Sequence, residues 1–281
     1  ARRLKVRVPA MAWLTSSAAS RTISTLLTSL DARFSRAARV DAFDVRPEVA
    51  EQLKAFAADT PVARIAEELL DTLSRHCVEQ QIRMESVRRV ISAGAAVPVR
   101  VVRRMQDSLY TDAVIHTPYG ATECLPVSSI SSTELDDRMV DRIESGDGVC
   151  VGHPIEPNEV RIIRISEMPF VRLSETTEMP RGMPGEIIVT GPTCTDAYWR
   201  RDTDTEMAKL TDENGRTWHR MGDVGILDGQ GRLWYCCRVS QRIDTGKDVL
   251  FADQCEAIFN QHPDLVRSAV VGVGARSRQT P

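Results

Sequence analysis

The sequence predicts an α/β fold, with βαβ layers giving way to a β-rich subdomain and then to the start of a smaller α+β unit. Three observations carry that expectation. A strand, a small-residue turn and a helix follow one another at residues 87–109. Beyond Ser128, apolar alternation between glycine and proline turns dominates, and after Arg238 an αβ pattern resumes. With 42% hydrophobic and 27% charged side chains, 281 residues suffice for a sizeable core and one or two domains.

Taken in order, residues 1–45 show no clear period. Thr60-Pro61 predicts an N-cap followed by proline at the first helical position. Val62, Ile65, Ala66, Leu69, Leu70 and Leu73 then fall on one face, as in a helix packed on a core. Residues 87–91 have a strand pattern that ends in the small-residue run Ser92-Ala-Gly-Ala-Ala96. Pro98 starts a helix with Val99, Val102 and Leu109 turned inward. A second strand at 113–116 runs into a turn around Tyr119, which places both loops at the carboxyl ends of neighbouring strands, where open α/β sheets bind ligands. Strands follow at 160–165, 186–189 and 232–235. Asp228-Gly-Gln-Gly231 predicts a hairpin between 224–227 and Leu233. Residues 253–261 have a helical pattern and 267–273 that of a strand.

Composition narrows the function classes. The formal net charge is −3, from 36 basic and 39 acidic residues interspersed along the chain, so no global field favours nucleic acid, and a small-molecule substrate is expected. No apolar run approaches the ~20 residues of a membrane-spanning helix. Seven cysteines, an odd number without a C-x-x-C pair, indicate neither a disulfide framework nor a zinc site, and suggest a reducing, cytoplasmic setting. Arg2, Arg3, Lys5, Arg7 and Arg21 precede the first acidic residue, Asp31, as in an organelle transit peptide. A chain opening at Ala1 without Met better suits a start inside a longer gene product.

The richest segment is His116-Thr-Pro-Tyr-Gly-Ala-Thr-Glu-Cys-Leu-Pro-Val127. Tyr119 offers a face for a flat base, and Gly120 allows close backbone approach. Thr122 offers a hydroxyl for a phosphate oxygen, and Glu123 a carboxylate for a hard cation such as Mg²⁺. By itself the segment also reads as a strand ending in a polar loop. Asp223, in Gly222-Asp-Val-Gly-Ile-Leu-Asp228, has a carboxylate able to accept two donors at once, although Gly-Asp turns are common. Arg238 presents a permanent fork of donors, or is a solvated surface arginine. Other chemistries lack their motifs: there is no G-x-S-x-G, G-x-x-x-x-G-K-[ST], G-x-G-x-x-G or H-E-x-x-H. Five scattered histidines add no cluster, and the adjacent Cys236 and Cys237 suit packing.

Tyr119-Gly-Ala-Thr-Glu123 resembles the Y-G-x-T-E signature of the adenylate-forming superfamily of acyl-CoA synthetases, luciferase and peptide-synthetase adenylation domains. Further segments resemble that superfamily in the same order: Ser92-Ala-Gly-Ala-Ala-Val-Pro98, Gly152-His-Pro154 with Glu159-Val-Arg-Ile162, Gly185-Glu-Ile-Ile-Val-Thr-Gly-Pro192 and the Gly222 to Asp228 element. Within it, Thr117 to Val127, Trp218-His-Arg-Met-Gly-Asp-Val-Gly225 and Cys255-Glu-Ala-Ile-Phe-Asn260 with His262-Pro263 look like the β-lactone synthetases of long-chain olefin biosynthesis.

The resemblance, covering residues 69–274, implies an AMP-forming ligase using ATP and Mg²⁺. Gly94, Ala95, Ala96, Tyr119 and Gly120 would bind adenine, Thr122 a phosphate, Glu123 the metal, and Asp223 with Arg238 the ribose. Thr122, Glu123 and Arg238 are the catalytic candidates, while the acyl pocket has only Cys124, Leu125 and Pro126 as candidates. It further implies a large nucleotide-binding domain over 69–237 and a small domain from 238, with 1–68 unassigned. The expected substrate is a long-chain β-hydroxy acid closing to a β-lactone, with a fatty acyl-CoA ligase as the alternative. Association with other enzymes of the olefin pathway is a further implication. Departures from the pattern are Cys237 where glycine usually precedes the arginine, and Ser240 where aspartate or lysine is common at the hinge. The phosphate loop near S-G-T-T-G-x-P-K and the late catalytic lysine are missing, Lys247 lying too early. These absences imply an internal fragment of a longer enzyme, and leave open an inactive fragment or a nucleotide-binding module.

Overall fold

A computed structural model describes residues 62–281 except Pro263 and Val266. Ten strands form one sheet in the order β1-β2-β3-β4-β5-β10-β9-β7-β6, with β8 paired to β9. Its first three strands are parallel and the others pair antiparallel, which matches βαβ layers followed by a β-rich part.

The helix expected from Pro61 begins later. Val62–Ala66 is strand β1, paired in parallel with β2 (Arg89–Ala93), and helix α1 is Glu67–Glu79. β-Branched Val62 and Ile65 suit a sheet, while Glu67 and Glu68 favour a helix N-terminus, whose dipole attracts carboxylates. Thr60 and Pro61 lie outside the described residues. Leu70, Leu73 and Cys77 of α1 are buried. Helix α2 (Val99–Asp107) follows Pro98 as expected, but its buried positions are Val101, Val102 and Met105, with Val99 half-buried and Leu109 buried beyond the helix end.

Strand β3 (Val114–Ala121) runs parallel to β2, turns at Thr122 and Glu123, and returns as β4 (Cys124–Ser131). The chain is thus still extended at Tyr119, and the turn lies three residues later than expected. Helix α3 (Asp137–Glu144) is capped by Asp136, whose carboxylate accepts from Met139 N–H at 2.8 Å. Next come β5 (Val149–Pro154), β6 (Glu159–Ile163), β7 (Gly185–Thr190), α4 (Asp202–Ala208), β8 (Lys209–Thr211), β9 (Thr217–Leu227) and β10 (Leu233–Arg238).

The predicted β9–β10 hairpin forms through Asp228. Its Oδ1 accepts from the Gln230 and Arg232 amides at 2.9 Å each, its Oδ2 accepts from Trp234 Nε1 at 2.9 Å, and Gly231 supplies the left-handed backbone at φ +81°. After Arg238 the chain forms a small ladder, β11 (Ile243–Asp244) with β12 (Val249–Leu250), and then helix α5 (Ala252–Phe259). The strand expected at 267–273 does not form. Only Val273 bridges, to Thr280, and Val271 and Val273 stay exposed, so the apolar run has no sheet face to bury against.

Burial concentrates between β4, β5, β7 and β9–β10, where Cys124, Val127, Val151, Ile187, Val189, Met221 and Leu233 form one cluster. The cysteine expectation needs correction here. Cys124 and Cys194, 70 residues apart, face each other in an antiparallel bridge with Cα atoms 4.1 Å apart and are disulfide-bonded. Spacing along the chain gave no sign of this, because the pairing arises where the segment after β7 crosses the β3–β4 hairpin.

A buried ion pair ties β7 to β9. Arg220 donates from Nε to Glu186 Oε1 at 3.0 Å and from Nη2 to Oε2 at 2.7 Å, and its other N–H groups reach the carbonyls of Ser166, Met168 and Met207. Burial pushes the Glu186 carboxyl up, against the pull of Arg220. Removing one charge of such a pair strands the other in a low-dielectric interior. Arg220→Met is therefore expected to cost about 3–5 kcal/mol of stability. Arg220→Lys should recover only part of this, since ammonium cannot reproduce the fork. Urea unfolding of both variants checks the ranking.

Candidate nucleotide site

Three predicted residues meet at one carboxylate. The register of β9 and β10, shifted by a bulge at Cys236, sets Asp223 directly across from Arg238. From β3, Tyr119 O–H donates to Asp223 Oδ2 at 2.7 Å. Arg238 Nη1 lies 2.9 Å from Oδ1 but off the line of a hydrogen bond, and Oδ1 is left buried without a hydrogen-bond partner. Burial raises the Asp223 carboxyl above its usual range, opposed by Tyr119 and Arg238. Burial and the neighbouring Asp223 hold the Tyr119 phenol well above its ordinary value, so it remains a donor.

The Tyr119 ring packs partly on the central cluster and lies tilted against Tyr235, with centroids 6.2 Å apart. Gly120 has a structural reason of its own. A Cβ there would sit 2.6 Å from the Cys124 carbonyl oxygen and 2.7 Å from Leu125 Cδ1, so the hairpin itself occupies the space read as room for a ligand. The loop of Gly94, Ala95 and Ala96 is exposed after β2, with Gly94 at φ +117°. It follows the strand next to β3.

At the tip of the hairpin, Thr122 is exposed and Glu123 half-buried. Tyr198 O–H donates to Glu123 Oε1 at 2.7 Å, and Thr195 N–H donates to the Glu123 carbonyl at 2.7 Å. Burial opposes ionisation of Glu123, but the Tyr198 hydrogen bond, a backbone amide and the nearby His219 and Lys209 outweigh it and lower the carboxyl below its usual range. Glu123, Tyr198, Glu186, Met207, Arg220 and Gly222 line a cleft of about 440 Å³, large enough for part of a nucleotide. Glu123 thus opens on the same cleft as the residue preceding Asp223. Of the acyl-pocket candidates, Cys124 is fully buried in the core, which removes it from contact with a bound chain.

Sequence reading missed Tyr198, Lys209 and His219. Tyr198 and Lys209 belong to no motif, His219 lies in the Trp218 to Gly225 segment without being singled out there, and only the fold brings them beside Glu123. Lys209, paired in register with His219 across β8 and β9, is buried and donates to the Thr195 carbonyl. Among the described residues no group of three or more His, Cys, Asp or Glu side chains could hold a metal. A cation at Glu123 would therefore take most of its ligands from phosphate oxygens and water, which is how Mg²⁺ is usually held.

The comparisons with known proteins identify the family and the fold. The AMP-binding enzyme family matches residues 11–199, which includes much of the stretch left unassigned from sequence. The chain is 46% identical over 202 residues to an olefin beta-lactone synthetase of Stenotrophomonas maltophilia, covering 70% of this chain and 36% of that protein. It is 29% identical over 199 residues to a long-chain-fatty-acid–CoA ligase of Escherichia coli O6:H1, covering 70% and 31%. Among solved structures, the amide bond synthetase McbA of Marinactinospora thermotolerans shares the fold, with a TM-score of 0.66 at 23% identity, over 85% of this chain and 44% of that one. The chain belongs to the AMP-binding enzyme family, whose members include acid–CoA ligases and β-lactone synthetases, and it spans about a third of the length of the curated relatives it matches. No helix among the described residues is long and apolar enough to cross a membrane.

One consequence concerns pH. Burial, reinforced by Lys209, lowers His219 to about 4, its Nδ1 lying 3.2 Å from the Ala208 carbonyl. The unfolded imidazole takes up a proton near pH 6.5, whereas the folded one resists until about 4. This contribution to stability is therefore complete above pH 6.5 and is lost as pH falls towards 4, by about 3 kcal/mol at most. In urea titrations between pH 4 and 7, His219→Asn should flatten that part of the profile.

Proposed function

We propose that this chain carries the nucleotide-handling part of an enzyme that activates a carboxylic acid with Mg-ATP, forming an acyl-adenylate and pyrophosphate. The observation that carries the reading is the meeting of Tyr119, Asp223 and Arg238 beside a cleft into which Glu123 opens. Asp223 fits a ribose: its Oδ1 is an acceptor already desolvated and lacking a donor, and a sugar hydroxyl is the donor it lacks. Glu123 fits a cation, being held ionised beside the cleft by Tyr198.

In this reading Tyr119 and the loop of Gly94, Ala95 and Ala96 flank adenine, Thr122 binds a phosphate, and Arg238 stays on the ribose side. Magnesium, when bound, neutralises charge on the phosphates during displacement of pyrophosphate. Tyr198 orients the Glu123 carboxylate and keeps one of its oxygens committed, so the other faces the cleft. The same proposal divides the chain at Arg238, where the ten-stranded sheet ends, and places it in the cytoplasm.

For the second step we favour closure of a β-lactone from a long-chain β-hydroxy acid. Support comes from the higher identity to an olefin beta-lactone synthetase than to a fatty-acid–CoA ligase over a similar span. A tethered hydroxyl also gains effective concentrations of about 10⁵ M or more over a free nucleophile. The competing reading is a fatty acyl-CoA ligase, and a catalytically silent nucleotide-binding module is the third.

Incubation with Mg-ATP and a β-hydroxy fatty acid should release pyrophosphate and yield a product one water lighter than the acid. Consumption of CoA without lactone would establish the ligase instead, and absence of pyrophosphate release with retained ATP binding would establish the binding module. In an active preparation, Glu123→Ala should lower the rate by about 10²-fold or more. Tyr198→Phe should raise the Mg²⁺ concentration for half-maximal rate by roughly tenfold, as loss of a group that orients a metal ligand does. An unchanged Mg²⁺ dependence would remove Tyr198 from the site.

A further inference from the structure

The disulfide between Cys124 and Cys194 lies one residue from Glu123 and four from Tyr198. It is one of several ties between the same two segments, the Cys124 sulfur also lying 3.5 Å from Thr193 Oγ1. The Thr195 amide donates to the Glu123 carbonyl, Tyr198 donates to the Glu123 carboxylate, and the sulfurs join the residues between. The two sulfur positions differ in access: Cys124 is fully buried in the central cluster, whereas Cys194 is half-exposed in an otherwise exposed stretch. Cys77, Cys150, Cys236 and Cys237 are free and buried, and burial raises each thiol and keeps it unreactive. Cys255 is the remaining accessible cysteine and stands without a bonded partner.

We infer that Cys124 and Cys194 form a reversible redox tether, a site of oxidative modification that fastens the 191–199 loop to the Glu123 turn. Cys194 is the entry point. With hydrogen peroxide as oxidant, its thiolate attacks one peroxide oxygen and hydroxide leaves, giving a sulfenic acid. The Cys124 thiol then attacks that sulfur and water leaves, so two thiols and one peroxide become one disulfide and two waters. A dithiol reverses the bond by attack at the sulfur of Cys194, the less buried partner, releasing the Cys124 thiol and then closing its own disulfide. In the reduced state the loop keeps its hydrogen bonds to Glu123, Lys209, Asn158 and Thr205 but loses the covalent one. In the oxidised state it is covalently held, and local opening of the 191–199 segment is suppressed.

This proposal does not depend on the nucleotide reading, and its test needs no turnover. The full chain, reduced with dithiothreitol and then treated with peroxide, is denatured, alkylated and mapped by mass spectrometry. One linked peptide pair holding residues 124 and 194 is expected, with the other five cysteines alkylated and the link lost on reduction. Recovery of Cys124 and Cys194 both alkylated after peroxide, or a link that dithiothreitol cannot open in the native protein, overturns the proposal. The tether itself is read by limited trypsin cleavage after the exposed Arg200 and Arg201, expected to slow about tenfold on oxidation because cleavage follows local opening. The same treatment of Cys194→Ser should leave the cleavage rate unchanged. Equal cleavage of oxidised and reduced wild-type chain overturns the fastening of the loop.

Discussion

Everything distinctive in this molecule depends on one buried carboxylate, Asp223. A carboxylate taken out of water persists only with compensation from donors and charge. Here Tyr119 supplies the donor and Arg238 the charge, one from the parallel half of the sheet and the other from the antiparallel half. The three residues are 104 and 15 positions apart in sequence, and the interaction therefore reports that the sheet has closed correctly from β3 across to β9 and β10. At Oδ1 the compensation comes from the Arg238 guanidinium 2.9 Å away, set off the line of a hydrogen bond. An acceptor in that state favours any hydroxyl that can reach it, because the desolvation has already occurred during folding.

A second carboxylate, Glu123, has the opposite environment. Half-buried at a turn, it is held in the charged form chiefly by Tyr198 and a backbone amide, with Lys209 nearby. Two carboxylates a few residues from one cleft thus differ in what they can bind: the buried one suits neutral hydroxyls, and the ionised one suits a hard cation. Environment rather than residue type makes that distinction.

Much of this was legible in sequence, for identifiable reasons. The β9–β10 hairpin follows from Asp228-Gly-Gln-Gly231, whose aspartate caps its own turn and whose glycine takes the left-handed position. β6 and β7 follow from apolar runs between turns. The β1 strand was hidden because Val62, Ile65 and Ala66 satisfy a helical stripe and a strand equally well, and only pairing with Arg89–Ala93 decides between them. The 267–273 run failed in the reverse direction, having strand composition without a partner. Among site residues, Tyr119, Asp223 and Arg238 could be named from motifs, but their mutual contact could not, since the bulge at Cys236 sets the final register. Tyr198 and Cys194 lie in no motif, and the motifs that contain His219 and Cys124 say nothing of their partners. Their roles come from where the segment after β7 crosses the hairpin, a long-range event without local periodicity.

The cleft's one deeply buried arginine does not act as a phosphate clamp. Arg220 has its fork on Glu186 and its remaining N–H groups on three carbonyls, so it has no donor free for an anion. Around the same opening most carboxylates are likewise committed: Glu186 to Arg220, Glu167 to Arg242 and Arg276, and Asp204 to Arg201, while Glu123 is held by the Tyr198 hydroxyl. Under the proposed reading, the phosphates would bring the cation with them, and Glu123, held ionised by Tyr198 at the edge of the cleft, is the one side chain of this wall placed to meet it.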